Sequence, residues 1–460
     1  MESEPVPPQI LQSAEQSTED SSMMSTLYFD WQSKFNSVRE RNSAMVNNEL
    51  MSDVIFEVGT PGRSQSIPAH RYVLATGSSV FYAMFYGELA DNRVEVPDVE
   101  PSIFISMLKY LYCDEISLEP KTVLPTLYVS KKYILPHLSQ ECIKYLHSTL
   151  TYNNVCILLQ ESRMFEESKL TNHCWDIIDA QTELVLRSEG MKHLDEASFI
   201  SVLERDSLTC KESSIFSAAL LWAEEECRRR GLEPTPEDRR NVLERALQLI
   251  RFPTMSLQEY ANGPAQCGIL TKDETINIFL FLTSTAKPIL DFPTKPRTGL
   301  KIQVCHRCCK HTPVTPATLG FNRLPCRVRY DSINFSVDKR IFLVGYRLFG
   351  SVHGPSEYSV RLELKRQGKV IIETTTRYSS DGTQNTFDVF FEYPVQIDPG
   401  VFYCAQATYD GGPLRYYGID GKSQIVAETV TFKFNSILDH SDGIRGQIPD
   451  ILYYPSNNDI

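Results

Sequence analysis

Residues 53–75 read DVIFEVGTPGRSQSIPAHRYVLA, and this stretch decides the fold of the first domain. It opens with a β-branched strand, Val54 to Val58, and a Gly-Thr-Pro-Gly cluster at 59–62 supplies the turn that closes it. Apolar residues then keep a helical period from Val73 to Phe85. Short strands and helices in alternation predict a compact α+β domain over residues 28–150.

The chain before the first strand divides into two parts. Residues 1–27 are rich in Ser, Glu, Gln and Pro and poor in apolar residues, so we predict a disordered tail. From residue 28 onwards apolar side chains recur at helical spacing, which predicts a helix with one apolar face. That face needs a cover, and we expect it to take part in a homodimer interface. Its residues are Trp31, Phe35, Val38 and Met45.

Residues 151–283 predict an all-α domain, since broad apolar stripes at helical period recur, for example from Ile215 to Ala223. Three Glu and three Arg within 224–230 fit a solvated helix end with ion pairs four residues apart. Residues 284–299 carry several prolines and predict a stiff, extended linker, which would hold the next domain away from the domain at residues 28–150.

From residue 300 the apolar period changes to two. Tyr358 to Lys365 alternates apolar and polar residues without a fault, and Phe387, Val389 and Phe391 repeat the pattern. Turn signals separate such segments. Eight or more short strands within residues 300–455 predict an all-β antiparallel sandwich.

Composition and charge limit the functional classes. The 460 residues carry a formal net charge of −12, which excludes a general polyanion binder. The best candidate for a membrane span, Thr275 to Ala286, is shorter than the roughly 18 residues a span needs, and the acidic N-terminus does not resemble a signal peptide. Twelve cysteines without a secretory signal indicate reduced thiols. We therefore expect a soluble intracellular protein without a membrane partner, cytoplasmic, with an additional nuclear pool as the alternative.

One local charge excess stands out between Lys295 and Arg347, where eleven Lys or Arg face only two Asp. We interpret these residues as solvated strand ends, with a docking surface for an acidic target as the alternative. No basic helix or zinc-finger array accompanies the excess, so nucleic acid is not an expected partner.

Several stretches together resemble a BTB/POZ domain. The resemblance runs in order through residues 53–56, 67–75, 81–85, 94–101 and 107–112. It implies a domain that forms homodimers. In one group of such proteins, the substrate adaptors of cullin-3 RING ubiquitin ligases, this domain also binds the cullin.

The rest of the chain extends the resemblance. Residues 212–222 and 250–253 look like a BACK domain, and the sandwich is similar to a PHR domain at 331–338 and 345–351. BTB, BACK and PHR domains in this order resemble the BTB domain-containing adaptor proteins. This implies a non-catalytic adaptor whose BTB dimer binds cullin-3 while its PHR domain holds an unknown target protein for ubiquitination.

The resemblance also implies a cullin-binding site. In the family a hydrophobic-x-Glu motif carries the contact, and the matching residues here are Leu89, Ala90 and Asp91, with Asp in place of Glu. Asp keeps the charge but is one methylene shorter. Tyr133 and Pro136 match positions that flank the same surface. The alternative interpretation is that Leu89 packs locally and Asp91 begins a turn.

Two further pairs of residues are candidates for contacts with partners. Asp53 and Arg71 match a charged pair near the dimer interface of BTB folds, although an ion pair satisfied within one chain is the alternative. Tyr416 and Tyr417 lie in a segment, Asp410 to Lys422, that mixes aromatic, glycine and charged residues. Such segments are typical of recognition surfaces, and we expect these tyrosines to bind the target, unless the loop packs on itself.

A cysteine cluster is the one candidate metal site. Cys305, Cys308, His311 and Cys326 contain a C-x2-C spacing and offer four ligands of the types that bind zinc. The second pair of ligands at the usual spacing is missing, so we favour buried or reactive thiols. We expect no metal and no cofactor.

The alternative function is that of a nuclear BTB protein which acts in transcriptional regulation through co-repressor or chromatin partners. An enzyme with its site in the sandwich is a third hypothesis. The sequence contains no nucleophile-elbow, zinc-protease or dinucleotide-binding motif that would support it.

Overall fold

The computed structural model describes residues 31–87, 93–313, 330–352, 354–409, 415–435 and 446–456. The chain divides into two compact units, residues 1–148 and residues 149–460. The first holds the α+β domain, and the second holds the all-α domain together with the sandwich, so the predicted fold class is confirmed. None of the helices in the described part of the chain is long and apolar enough to cross a bilayer.

The first unit is built on a three-stranded sheet of order β2-β1-β3, in which β1 is antiparallel to β2 and parallel to β3. Helices surround this sheet. The elements are a 3-10 helix Trp31–Lys34, α1 (Val38–Ala44), β1 (Val54–Val58), β2 (Gln65–Ala69), α2 (Arg71–Gly77), α3 (Ser79–Tyr86), β3 (Arg93–Val96), α4 (Pro101–Cys113), α5 (Val123–Lys132) and α6 (Pro136–Thr149).

Phe56 lies at the centre of the first core. Alternate residues of β1 are fully buried, as expected for a strand with one face on the core. The ring centroid of Phe56 is 5.8 Å from that of Phe81, 6.2 Å from that of Phe85 and 4.9 Å from that of Phe104. Burial of each such side chain contributes about 1.5–3 kcal/mol, and this contact holds α3 and α4 on the sheet.

The predicted N-terminal helix is wrong in one respect: the structure has two short helices where the apolar spacing predicted one. The chain breaks at Ser37, which has extended backbone angles (φ −130°) and whose hydroxyl accepts a hydrogen bond from the Glu40 amide. Ser37 thus caps α1 and separates Trp31 and Phe35 from the residues that follow. The expected apolar residues are therefore divided between two helices, and Val38 at the start of the second is 63% exposed.

The second unit begins with helices. They are α7 (Val155–Met164), α8 (Ser168–Ala180), α9 (Thr182–Leu186), α10 (Glu189–Lys192), α11 (Glu196–Leu203), α12 (Glu212–Arg229), α13 (Pro236–Gln248), α14 (Leu257–Asn262) and α15 (Lys272–Thr283), with 3-10 helices at Phe252–Thr254 and Pro264–Gln266. Phe199 of α11 stacks on Trp222 of α12 with ring centroids 4.3 Å apart. The charged run at the end of α12 forms the expected pairs, for example Arg230 to Glu226 at 2.6 Å.

The segment 284–299 contains no helix or strand, in agreement with the predicted extended conformation. The expectation that it holds the sandwich away from the cullin-binding domain stays a prediction. Phe292 is buried and its ring packs edge-on against Phe252, with centroids 5.0 Å apart. The segment therefore lies against the helical domain.

Arg297 anchors this segment. Its side chain is 4% exposed and forms an ion pair with Glu212, which is 8% exposed, at 2.6 Å. The guanidinium also donates to the carbonyls of Leu203 and Arg205 at 2.7 and 2.6 Å. A buried charge is tolerated only with such partners. The side chain of Arg297 therefore holds the end of α11, the start of α12 and the segment after α15 together.

The sandwich contains a four-stranded sheet of order β10-β7-β15-β4, a six-stranded sheet of order β13-β14-β6-β11-β8-β9 and a small sheet of β12 and β5. All of their pairings are antiparallel. The strands are β4 (Gln303–His306), β5 (His311–Pro313), β6 (Tyr330–Val337), β7 (Ile341–Phe349), β8 (Ser356–Arg366), β9 (Lys369–Ser380), β10 (Thr386–Ile397), β11 (Tyr403–Tyr409), β12 (Tyr416–Gly418), β13 (Gln424–Ala427), β14 (Val430–Asn435) and β15 (Asp450–Pro455).

The sandwich is fixed to the helical domain by polar contacts along α8. The side-chain amide of Gln181, just after α8, donates to the carbonyl of Pro394 at 2.7 Å. Ser456 donates to Asp176 at 2.5 Å, and Arg340 lies 3.2 Å from the Nδ1 atom of His173. Because hydrogen bonds are directional, these contacts define an orientation between the two domains as well as a distance.

The cysteine cluster belongs to the sandwich. Cys305 is buried in its core, and burial raises the pKa of its thiol to about 12. Burial likewise raises the pKa of Cys308 to about 11. Among the described residues no three His, Cys, Asp or Glu side chains are placed to hold a metal ion, so Cys305, Cys308 and His311 are not brought together. Cys326 lies outside the described residues.

We expect the Arg297→Ala substitution to destabilise the second unit by about 3–5 kcal/mol, because it leaves Glu212 charged and buried without its partner. The exposed pair of Arg187 and Glu183, also at 2.6 Å, offers a matched control, and Arg187→Ala should cost only about 0.3–0.5 kcal/mol. Urea titration followed by the fluorescence of Trp175 and Trp222 measures both. Equal losses of unfolding free energy for the two variants would show that the buried ion pair contributes no more to stability than the exposed one.

We also expect iodoacetamide at pH 8 to modify Cys309 in the native protein while Cys305 and Cys308 stay protected. Cys309 is exposed, whereas the other two thiols are buried and protonated at this pH. Peptide mass spectrometry before and after unfolding in urea measures the labelling. Native labelling of Cys305 as fast as that of Cys309 would contradict the described core.

Candidate partner-binding surfaces

In the first unit, Ser78 joins the start of helix α3 to the turn after α5, and we take these two linked elements as one candidate surface. The Ser78 hydroxyl accepts from the amide of Phe81, which caps α3. The same hydroxyl donates to the carbonyl of Tyr133 at 2.6 Å in a buried position. This short link fixes the turn at residues 133–136 against the start of α3.

Tyr133 lies beneath this surface. It is 2% exposed, and its ring stacks on Phe81 with centroids 4.4 Å apart. Burial raises the pKa of its phenol above the usual range. The side chain of Tyr133 is thus a core residue that supports the surface from within, and a direct contact of Tyr133 with the cullin stays a prediction. Pro136, the first residue of α6, is exposed as expected.

On α3 and the turn after α5, three exposed apolar or aromatic residues were not identified as candidates from the sequence. Tyr82 and Tyr86 of α3 are 61% and 58% exposed, and their ring centroids lie 5.5 Å apart. Their spacing of four residues, one position after the buried pair Phe81 and Phe85, is the signal that could have found them. The third, Ile134, belongs to the turn after α5.

The central motif of the predicted cullin site, Leu89, Ala90 and Asp91, lies outside the described residues. The described chain ends at Gly87, directly after α3, and resumes at Arg93 with β3. The motif is thus continuous in the chain with the helix that carries the exposed tyrosines.

A charged cluster lies on α5, the helix that leads into the turn. Lys132 binds the carboxylate of Asp98 at 2.7 Å, and Tyr128 donates to the same carboxylate at 2.5 Å. The hydrogen bond from Lys132 is the main cause that lowers the pKa of Asp98. Lys132 also lies 5.7 Å from the centre of the Tyr133 ring. This cluster puts fixed charges close to the apolar turn.

Asp53 and Arg71 both have contacts within the chain. The Asp53 carboxylate accepts from the backbone amide of Arg71 at 2.7 Å, at the first residue of α2. The Arg71 guanidinium lies 5.4 Å from the centre of the Phe85 ring. Both contacts lie within one chain, whereas an ion pair between the two side chains and their role in a dimer both stay predictions.

Tyr416 is less exposed than we expected for a residue of a recognition loop. It is half-buried in β12, which pairs with β5, and its ring centroid is 5.1 Å from that of His311. Its carbonyl accepts from the side chain of Gln447 at 3.0 Å. The residue therefore sits in a short strand, and the expectation of a loop is wrong here. The side chain of Tyr417 lies outside the described residues.

Three of the eleven basic residues in the local excess have partners within the chain. Arg297 is buried with Glu212, and Arg307 is buried and donates to the carbonyl of Ile448. Arg347 binds Asp388 at 2.6 Å and Asp450 at 3.1 Å. These three residues contribute little free charge to the surface, and the alternative of a basic docking surface stays a prediction that rests on the other residues of the excess.

Three domain families match this chain. The BTB/POZ domain matches residues 43–150, the BACK domain (BTB And C-terminal Kelch) matches residues 155–262, and the PHR domain matches residues 325–454. The chain is also similar along most of its length to curated proteins.

BTB/POZ domain-containing protein 3 of Mus musculus is 49% identical over 430 residues, which cover 92% of this chain and 80% of that protein. BTB/POZ domain-containing protein 6 of Mus musculus is 49% identical over 430 residues, covering 92% and 79%. BTB/POZ domain-containing protein 6-A of Danio rerio is 49% identical over 429 residues, covering 92% and 78%. With its BTB, BACK and PHR domains in this order, the chain belongs to the family of BTB/POZ domain-containing proteins.

Proposed function

We propose that this chain is the substrate-recognition adaptor of a cullin-3 RING ubiquitin ligase. The observation that carries the proposal is the surface of α3 and the turn after α5, which presents exposed apolar and aromatic side chains directly before the motif at residues 89–91. Apolar anchors with adjacent charges are typical of protein–protein contacts. We assign the cullin-3 contact to this surface.

The adaptor role also fits the domain composition. BTB, BACK and PHR domains are typical of non-catalytic adaptors, and we assign no reaction to the chain itself. Ubiquitin transfer would be carried out by the ligase bound to cullin-3. The sandwich would hold the target, and its polar contacts with α8 would keep that target in a defined orientation relative to the BACK domain.

We further propose that the adaptor acts as a homodimer in the cytoplasm. The region around α1 supports the homodimer, because the apolar side chains of Val38 on α1 and of Met51 after it are largely exposed. Such side chains are normally covered when they form a patch, and a second copy of the domain is the cover we propose. The break at Ser37 means that each short helix contributes separately.

Replacing Leu89 with Glu should weaken binding of the cullin-3 N-terminal domain by about 2–4 kcal/mol, or roughly 30- to 900-fold, as the loss of an apolar hot spot does. Isothermal titration calorimetry on the full-length protein measures the affinity. Ile289→Glu is the matched control, because Ile289 is an almost fully exposed apolar residue of the segment after the BACK helices. It should bind like the unsubstituted protein.

Unchanged affinity of Leu89→Glu would show that the motif is assigned wrongly. Absence of cullin-3 binding by the unsubstituted protein would reject the adaptor function. Affinity capture from cells then tests the nuclear alternative, in which co-repressor or chromatin proteins dominate the captured partners.

Removing residues 300–460 should abolish capture and ubiquitination of the target while cullin-3 binding persists, because the proposed receptor and the proposed cullin site lie in different units. Calorimetry with the cullin-3 domain is the control that the first unit is intact. A double variant, Tyr416→Ala with Tyr417→Ala, then tests in the full-length chain whether the segment around β12 contacts the target. If the truncated protein still captures its targets, the receptor lies in the BTB or BACK domain.

A further inference from the structure

A cluster of three tyrosines in the sandwich is covered by one arginine. Tyr358 of β8, Tyr378 of β9 and Tyr409 at the end of β11 are all buried, and the first two rings stack with centroids 5.1 Å apart. The guanidinium carbon of Arg415, directly before β12, lies 3.6 Å from the centre of the Tyr409 ring and 5.4 Å from that of Tyr358. At such distances the rings attract the cation.

Arg415 is half-buried, and within the described part of the chain it has no carboxylate partner. Its Nε atom donates to the side-chain oxygen of Gln447 at 3.3 Å, and its two terminal nitrogens form no hydrogen bond there. Charges at such depth are normally paired, as those of Arg297 and Arg347 are. The two terminal nitrogens are therefore donors that remain for a group outside the chain.

Two hydroxyls of the cluster are also unpaired. Those of Tyr358 and Tyr409 are buried and have no hydrogen-bond partner, although Ser351, Ser356 and Tyr378 lie close enough to affect the pKa of these phenols. Burial raises the pKa of both phenols, so they stay protonated donors at neutral pH. Phenylalanine would fill the same space without an unpaired hydroxyl. The two hydroxyls thus point to an acceptor that the chain itself does not supply.

The backbone of Arg415 is fixed, whereas its guanidinium is held more loosely. Arg415 pairs with Ser351 in an antiparallel β-bridge, and the amide of Tyr416 donates to the carbonyl of Gly350 at 3.2 Å. Beyond the rings, the contact that holds the guanidinium is the long hydrogen bond to Gln447. An incoming group that binds the exposed terminal nitrogens can therefore draw the guanidinium outward and reach the hydroxyls beneath it.

We propose that Arg415 and the hydroxyls of Tyr358 and Tyr409 bind the carboxylate of an Asp or Glu side chain on the target protein. This rests on the proposed function, in which the sandwich holds the target, and it names the chemical group that is recognised. A carboxylate matches the two donors of a guanidinium and keeps lone pairs for the phenols. Arg415 supplies one positive charge, which balances a carboxylate but not a phosphate ester of nearly two charges.

The test uses the full-length protein and the peptide acetyl-Gly-Ala-Glu-Ala-Gly-amide, which carries one carboxylate. Saturation-transfer difference NMR detects weak ligands of a large protein, and a titration gives the dissociation constant. We expect the peptide to bind, and a peptide with Gln in place of Glu to bind at least about tenfold more weakly, because an amide cannot form the charged pair. Two further peptides carry phosphoserine in place of Glu, or Gln with a free C-terminal carboxylate.

Substitutions separate recognition from folding. Arg415→Met keeps an apolar cover on the rings but removes the charged donors, so affinity for the Glu peptide should fall about tenfold or more while the thermal transition is not lowered. Tyr358→Phe and Tyr409→Phe remove only a hydroxyl. Each should weaken binding about threefold and leave the transition temperature unchanged or higher, since an unpaired buried hydroxyl is lost.

Arg366→Gln is the matched control. The guanidinium of Arg366 also lies over a tyrosine ring of the sandwich, 5.8 Å from the centre of Tyr403, but it already has a carboxylate partner in Asp398 at 3.3 Å. Loss of this arginine should leave the affinity for the Glu peptide unchanged.

Four outcomes would overturn the inference. They are equal binding of the Glu and Gln peptides, unchanged affinity of Arg415→Met, a lower transition temperature of the Phe variants, and tighter binding of the phosphoserine or free C-terminal peptide. Calorimetry with the cullin-3 N-terminal domain on the same samples keeps the two proposals apart. If cullin-3 does not bind but the Glu peptide does, the adaptor function fails and the carboxylate site stands; the reverse result rejects the site alone.

Discussion

The buried ion pair of Arg297 and Glu212 is the constraint on which the architecture of the second unit depends. A guanidinium and a carboxylate lose much of their hydration inside a protein, and they are stable there only when nearly every donor and acceptor finds a partner. Arg297 meets this requirement with carbonyls at the ends of two helical segments as well as with Glu212. The segment before the sandwich is therefore fixed in place, and the sandwich starts from a defined point.

The first unit uses a neutral hydrogen bond for a similar purpose. Ser78 is both the cap of α3 and the donor to Tyr133, so one hydroxyl connects a helix start to a turn more than fifty residues later. Around it, the rings of Phe56, Phe81 and Tyr133 pack closely. The buried residues of α3 and of the turn already determine where the backbone lies. The exposed residues of these elements can therefore be substituted without moving the backbone.

Local periodicity was enough to predict the three domain classes, but it did not reveal contacts between distant segments. In β8 the alternation is directly visible: Tyr358, Val360, Leu362 and Leu364 all lie in the sandwich core. Arg297, by contrast, is one basic residue in a proline-rich stretch, and nothing local indicates that Glu212 is its partner. Tyr133 was assigned to the surface by resemblance, although its ring belongs to the core. Ser37 is the N-cap of α1, so a new helix begins there although the apolar spacing fitted one longer helix.

The charges at the start of the sandwich also have partners that cannot be predicted from the neighbouring sequence. Counted along the sequence, the residues from Lys295 to Arg347 are strongly basic, but the buried carbonyl of Ile448 and the carboxylates of Asp388 and Asp450 come from segments far along the chain. Only folding brings these partners together. The net charge counted from Lys295 to Arg347 therefore overstates the positive charge that is left without a partner. If the sandwich holds a target as proposed, these internal partners leave less positive charge for the contact than the sequence suggests, and shape and apolar content would carry more of it. The fixed orientation of the sandwich would then matter more, because short-range contacts cannot steer a target from a distance.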